Sequence, residues 1–277
     1  MLTQAEKGRV FAELHKRADA FIIPNPWDVG SARLLAHLGF EALATSSAGY
    51  AFSLGKADTT VGRDGTLAHA AALAAATDLP ISIDLENGFG DAPAVVAEAI
   101  RLAAATGAVG GSIEDSTKRP DEPLYERTLA VARIQAAAEV VRRLPVPFTL
   151  TARAENYLVG NPDLKDTIER LQLYQEAGAN VLYAPGLTNK SDIATLVSSL
   201  DRPVNVLMGM QGVKLTLAEL SAIGVKRISV GSGLARCALG AFIRAAEEMR
   251  SHGTFSFGED AANSRMINSI FKNADDS

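Results

Sequence analysis

The chain has 277 residues, 47% of them hydrophobic, enough for one large domain with a substantial core. A formal net charge of -5 without a basic tract argues against nucleic acid or an anionic membrane surface as partner, and the Ala68–Ala76 run is too short and too weakly apolar to cross a bilayer. The single cysteine, Cys237, excludes an internal disulfide, and the polar start from Met1 to Asp19 reads as a helix rather than a secretion signal, so a cytoplasmic protein is expected.

Short apolar runs recur along the chain, each followed by a helical segment: Ala20–Pro24, Ala42–Ser46, Pro80–Ile83, Gly110–Ile113, Phe148–Thr151, Asn180–Tyr183, Pro203–Leu207 and Arg227–Val230. Asp28, Asp64 and Asp91 stand as helix caps, Asn161-Pro162 puts proline at a first helical position, and Thr216 to Glu219 has capping-box spacing. Glycine (Gly39, Gly107, Gly178, Gly224) and proline (Pro80, Pro145 and Pro147, Pro203) alternate where helices end. Eight such units fit an α/β (β/α)8 TIM barrel, which needs ~250 residues. A doubly wound sheet is disfavoured, because Asn25-Pro26-Trp27-Asp28 after the first strand is no glycine-rich fingerprint. Residues 1–254 are read as the barrel with an N-terminal helix. Residues 255–277 are read as a polar tail with a short helix around Asn263–Phe271 that docks on a neighbouring subunit or frays.

Barrel chemistry sits at the C-terminal ends of strands. Here those ends carry Thr45 to Tyr50, then Asp84 and Glu86, then Glu114-Asp115, then Arg153 and Glu155. Asp84 and Glu86, two apart, are expected to project together. Several acids around one mouth call for a hard cation with oxygen ligands, so Mg2+ is expected, with Mn2+ as its substitute. The four histidines fall in predicted helices, which disfavours zinc, and Cys237 reads as a buried structural thiol. Arg153 can grip a carboxylate or phosphate, or pair with Glu155 or Glu114. The Gly231-Ser232-Gly233 stretch serves strand–helix packing or a phosphate. The segments Ser47–Arg63 and Ser116–Pro123 read as substrate lids or surface loops.

The ordered set of Leu54-Gly55-x-x-Asp58, Asp84-Leu85-Glu86-Asn87-Gly88-Phe89-Gly90, Glu114-Asp115 and Ala152-Arg153-Ala154-Glu155 resembles the isocitrate lyase and phosphoenolpyruvate mutase superfamily, from about Ile22 to about Ala246. The resemblance implies a barrel whose last helix is exchanged between subunits of a dimer or tetramer. It implies Mg2+ held by Asp84, Glu86, Glu114 and Asp58, with Asp84 the best direct ligand. A small-molecule carboxylate, a 2-oxo or 2-hydroxy acid, would bind this ion, with Arg153, Ser46, Ser47 and Ala48 holding its carboxylate and the developing enolate. Asp58, Arg153, Ser46 and Lys118 are the catalytic candidates. The family lyases carry a Lys-x-Cys-Gly-His lid; here it reads Ser116-Thr117-Lys118-Arg119-Pro120, with no cysteine or histidine, and Ala184-Pro185-Gly186 supplies no acid after strand 6. The implied activity is C–C cleavage or decarboxylation through an enolpyruvate-like intermediate. The alternatives are P–C chemistry as a phosphonomutase or phosphonopyruvate hydrolase, with Asp58 as nucleophile, and a non-catalytic carboxylate-binding barrel.

Overall fold

Eight parallel strands follow one another round a single sheet in the computed structural model, which describes residues 2–275. The strands are β1 (Phe21–Ile23), β2 (Leu43–Ala44), β3 (Ile81–Asp84), β4 (Gly110–Glu114), β5 (Thr149–Arg153), β6 (Val181–Tyr183), β7 (Val204–Leu207) and β8 (Arg227–Ser229). Before them comes α1 (Gln4–Leu14); between them come α2 (Val29–His37), α3 (Ser47–Ser53), α4 (Arg63–Ala76), α5 (Pro93–Ala105), α6 (Arg127–Arg143), α7 (Leu164–Glu176), α8 (Lys190–Ser198) and α9 (Leu217–Ala222). After the last strand lie α10 (Gly233–His252) and α11 (Ser264–Asp275). All eight expected strands are present, in the expected (β/α)8 order.

β1 pairs with β8, and the ring closes at β1–β2 through Ala44 N to Pro24 O (3.1 Å). Asn25 reinforces the seam, donating Nδ2 to Thr45 O (3.0 Å) and accepting Val230 N at Oδ1 (2.9 Å), so one buried side chain ties β2 and β8 together. The expected cap glycines Gly39, Gly107, Gly178 and Gly224 all have positive φ, as left-handed helix exits require. Asp28 caps α2, and the Thr216–Glu219 box caps α9. Three local expectations fail. Asp64 lies inside α4, Asp91 leaves capping to Ala92, and Asp163 rather than Asn161 caps α7, so Pro162 stands outside the helix.

α1 closes the N-terminal end of the barrel. Phe11 and Leu14 pack with Phe21, Ile23, Ala42 and Val109, and Gly8 sits so close to Pro147 that a Cβ would strike its carbonyl. The barrel interior above is polar: Arg227 donates Nε to Asn205 (2.9 Å) and Nη2 to Thr151 (3.0 Å), and its Nη1 approaches His15 Nε2 (3.4 Å). The apolar side chains of the strands pack outward under the helices, as a parallel sheet covered by helices requires.

The chain's end departs from a closed outer ring. Of the twenty residues of α10 only Ala235 is buried, while Leu239, Phe242, Ile243 and Met249 stand exposed. α11 packs on α2 of its own chain, with Ile270 buried and Phe271 over Gly30. The tail helix is thus docked. Cys237, on α10, is exposed, correcting the buried-thiol reading. Among the described residues no helix is long and apolar enough to cross a membrane.

Burial, and then the neighbouring Arg227, push the His15 imidazole down to about 3, so it stays neutral in the fold. The unfolded chain takes up a proton there below its ordinary 6.5, and the folded one does not until about 3. Stability from this histidine is therefore full above that ordinary value and is lost as pH falls. His15→Gln is expected to flatten the decline in urea-unfolding free energy between about pH 6.5 and 4 without abolishing it, since His69 (about 4) titrates the same way. An unchanged slope would contradict a buried neutral imidazole.

Candidate active site

Asp84 closes β3, and the chain then leaves the strand at once. Glu86 has φ 50° and Phe89 φ 64°, with Gly88 between them at φ 77°. Glu86 therefore does not share a strand face with Asp84, contrary to the alternation argument. The tight turn brings the two together instead, with Glu86 N donating to Asp84 Oδ1 (3.2 Å). Arg133, 1% exposed, holds the turn from beneath. It donates to the carbonyls of Gly90 (2.5 Å), Asp91 (2.6 Å) and Asn87, with its guanidinium 4.0 Å from the Tyr125 ring centroid. Among the described residues the non-glycine positive-φ positions are Thr59, Glu86, Phe89 and Lys118, all on loops at this mouth. Such strain persists only where surrounding contacts fix it.

Arg153, at the end of β5, is the hub. Nη1 meets Asp84 (2.9 Å), Nη2 meets Glu114 (3.2 Å) and Nε meets Glu155 (2.8 Å). The Nε and Nη1 contacts are hydrogen bonds, and the Nη2 contact with Glu114 is an ion pair. The Lys118 ammonium contacts Glu114 and lies 3.8 Å from Glu86. Four carboxylates thus face two cations. Burial, then Asp84, push Glu86 up to about 7, and burial also holds Glu155 above the usual carboxylate range. Burial opposes ionisation of Asp84 too, but Arg153 and the Glu86 and Ser47 amides outweigh it and keep this carboxyl low.

Behind this ring Asp115 points away from the mouth, as the residue next to Glu114 in a strand must. It accepts Glu155 N (2.8 Å), Tyr174 Oη (2.6 Å) and Arg170 Nη1 (3.2 Å), and so fixes the backbone that carries Glu155. Arg133 and Tyr125 gave no sequence signal, since an arginine in a helix ordinarily reads as solvated.

A cavity of about 190 Å3 opens beside Arg153 and Asp84. Ser46, Ser47, Ala48 and Asp58 line it, and Tyr183, Asn205, Arg227 and Ser229 form its deeper wall. Ser46 Oγ caps α3 through Gly49 N (3.2 Å), and Ser47 N faces Asp84 Oδ2 (3.4 Å). Asp58 is exposed, its Oδ1 turned to Thr59 N (2.8 Å). Glu86 and Lys118 line the adjoining cleft, and Glu114 (4% exposed) lies between cleft and Arg153. The loop after β2 is half helix, since Ser47–Ser53 form α3. The segment after β4 is a pinned hairpin: Ser116 bridges Leu124, Thr117 N donates to Pro123 O (3.0 Å), and Arg119 pairs with Asp91 (3.0 Å), which also accepts Tyr125 Oη (2.6 Å).

Among the described residues no three His, Cys, Asp or Glu side chains converge to hold a metal unaided. The donor set nonetheless fits Mg2+, a hard ion that keeps several waters and takes one or two carboxylates. Asp84 Oδ2 has only the long Ser47 contact, while Glu86, Glu114 and Asp58 stand around it with surplus negative charge.

The family model of phosphoenolpyruvate phosphomutase matches residues 11–250. A protein of Burkholderia cenocepacia J2315, solved as a "putative lyase/mutase", is 61% identical, with 97% of this chain and 96% of that one covered and a TM-score of 0.95. An uncharacterized Mycobacterium tuberculosis protein is 36% identical over 80% of this chain and 81% of its own. The 2-methylisocitrate lyase of Escherichia coli K12 is 26% identical over 71% of this chain and 68% of its own. The same fold recurs in phosphonopyruvate hydrolase solved with oxalate and Mg2+, at 21% identity and TM-score 0.85, covering 98% of this chain and 96% of that one.

Removing Arg153 leaves Asp84, Glu114 and Glu155 buried without their shared cation. Arg153→Met is expected to cost about 3–5 kcal/mol in urea unfolding, and adding Glu155→Gln should recover part of it. A loss below about 1 kcal/mol, the range of exposed pairs, would show that the hub is not what holds the acids.

Proposed function

The chain belongs to the phosphoenolpyruvate phosphomutase family, within the superfamily of isocitrate lyases and phosphonomutases, and from that premise we propose that it is a Mg2+-dependent lyase cleaving a C–C bond in a small 2-oxo or 2-hydroxy acid. The carrying observation is Arg153, a largely buried cation that lines a cavity ringed by acids in excess of cations. Its guanidinium is the kind of group that receives a carboxylate's oxygens. Mg2+, when bound at Asp84 with Glu86, Glu114 and Asp58 holding its waters, supplies positive charge where an enolate oxygen develops. Ser46 and the Ser47 and Ala48 backbone line the wall against which that oxygen rests. In a 2-hydroxy acid the hydroxyl loses its proton and its carbon becomes a carbonyl as the C–C bond breaks, the electron pair of that bond passes to the neighbouring carbon as an enolate of the carboxyl it bears, and a proton from solvent quenches it; in a 2-oxo acid losing CO2 the pair becomes the enolate of the 2-oxo group, and in either case Arg153 would hold the carboxylate beside the 2-oxygen.

Asp58 favours C–C over P–C chemistry. A phosphoryl acceptor must be held in line with its target, and this carboxylate lies on an exposed loop, oriented only by its neighbour's amide. P–C cleavage, of the kind phosphonopyruvate hydrolase is named for, is therefore second. The exposed apolar face of α10 supports a dimer or tetramer with this helix exchanged between subunits. The single cysteine suits a reducing cytoplasm.

The test is a Mg2+-supplemented panel of oxaloacetate, 2-methylisocitrate, 2,3-dialkylmalates and phosphonopyruvate, followed by proton and phosphorus NMR. Pyruvate, oxalate or succinate should appear from one of the carbon acids, with loss of at least about a hundredfold in kcat for Asp84→Asn. Consumption of phosphonopyruvate alone would move the enzyme to P–C chemistry. No turnover with tight oxalate binding would make it a binding barrel.

A further inference from the structure

The Lys118 ammonium sits where a second cation would have to go. It is inserted between Glu114, which it contacts, and Glu86, 3.8 Å away. The two carboxylates are 4% and 8% exposed, whereas the lysine side chain is 35% exposed and enters from the solvent side. The other ring cation, Arg153, is fixed by three carboxylates and cannot leave without stranding them. Lys118 is tied otherwise only by its own backbone, where φ is 64°, a conformation that disfavours a side chain with a Cβ, and by its amide on Ser116 Oγ (3.3 Å). Its neighbour Arg119 holds the hairpin through Asp91 in a pair that is half exposed on both sides (46% and 59%).

Resting on the metal reading above, we propose that Lys118 is a tethered counter-ion: it occupies the cation position of the metal-free enzyme and is expelled when the divalent ion loads, releasing the hairpin 116–124. An ion on Asp84 whose waters lean on Glu86 and Glu114 competes with the ammonium for the same two carboxylates, and repulsion between the two cations in a partly buried site opposes keeping both. The side chain that gives way is the one held by fewer partners and carrying the strained backbone. Metal loading and hairpin position are then one equilibrium, and each biases the other equally. This gives the lid a role that needs neither the cysteine nor the histidine of the lyase lid, since its lysine keeps an otherwise repulsive acid ring together until the ion arrives.

The experiment uses the whole chain, stripped of metal, with Mn2+ as the probe and no substrate. Free Mn2+ is followed by electron paramagnetic resonance, and amide hydrogen exchange is read over 116–124 by mass spectrometry. Wild type is compared with Lys118→Met and Lys118→Arg, each shown folded by circular dichroism. Lys118→Met should bind Mn2+ about tenfold more tightly or better, while Lys118→Arg should stay within about threefold of wild type. Added Mn2+ should speed exchange over 116–124 about fivefold or more in wild type, and Lys118→Met should exchange fast with or without it. Unchanged affinity in Lys118→Met, or a hairpin that Mn2+ leaves alone or slows, overturns the counter-ion role while sparing the metal site. Failure of Mn2+ to bind wild type and Lys118→Met alike removes the metal reading, and this inference with it.

Discussion

The contact of Arg153 with three carboxylates at the barrel rim, two of them buried and Asp84 partly so, governs this molecule. A guanidinium 12% exposed, bonded to Asp84, Glu114 and Glu155 from the ends of neighbouring strands, lets a parallel barrel gather acids at one rim without flying apart. Buried charges are tolerated only when paired, and here the pairing is deliberately incomplete. Four carboxylates share two cations, and burial, with the neighbouring acids adding to it, pushes Glu86 and Glu155 up. The surrounding structure fixes that arrangement: Arg133 clamps the turn after β3, and Asp115, with Tyr174 and Arg170, fixes the strand end that carries Glu155.

The fold was legible because its punctuation is physical. Apolar runs ended by proline or by a left-handed glycine mark eight strands and their helices, and each strand appears within a residue or two of its expected place. The acids were legible because polar residues at the ends of apolar strands have nowhere to go but the rim. What stayed hidden depends on contacts remote in sequence or on backbone outside regular structure. Ser47–Ser53 looked like loop but is helix, started by the Ser46 cap. Glu86 meets Asp84 through a left-handed turn that strand alternation cannot anticipate. Arg133 spends its charge on backbone carbonyls some forty residues away, and Arg227 finds only neutral partners inside the barrel, so neither had a complementary charge to announce it.

Chemistry and architecture meet in the two loops that frame the cavity. The β3 turn delivers acids, and the hairpin after β4 delivers Lys118 to them, pinned by Arg119 on Asp91. That hairpin carries no cysteine, unlike the lyase pattern the chain otherwise resembles, and Asp58 lies on an exposed loop with its Oδ1 on Thr59 N. The exposed face of α10, with Leu239, Phe242 and Ile243, adds a second unfinished surface.

The central claim is that this acid-rich rim is built to receive a divalent ion and a carboxylate together. Calorimetric titration of oxalate, with and without Mg2+, tests it most directly. The account predicts that oxalate binds only when Mg2+ is present, and that Mg2+ binds more tightly, by the same factor, when oxalate is present. Oxalate binding equally well to the metal-free protein would contradict it, since the carboxylate would then be held by Arg153 and its neighbours with no role for the surplus acids.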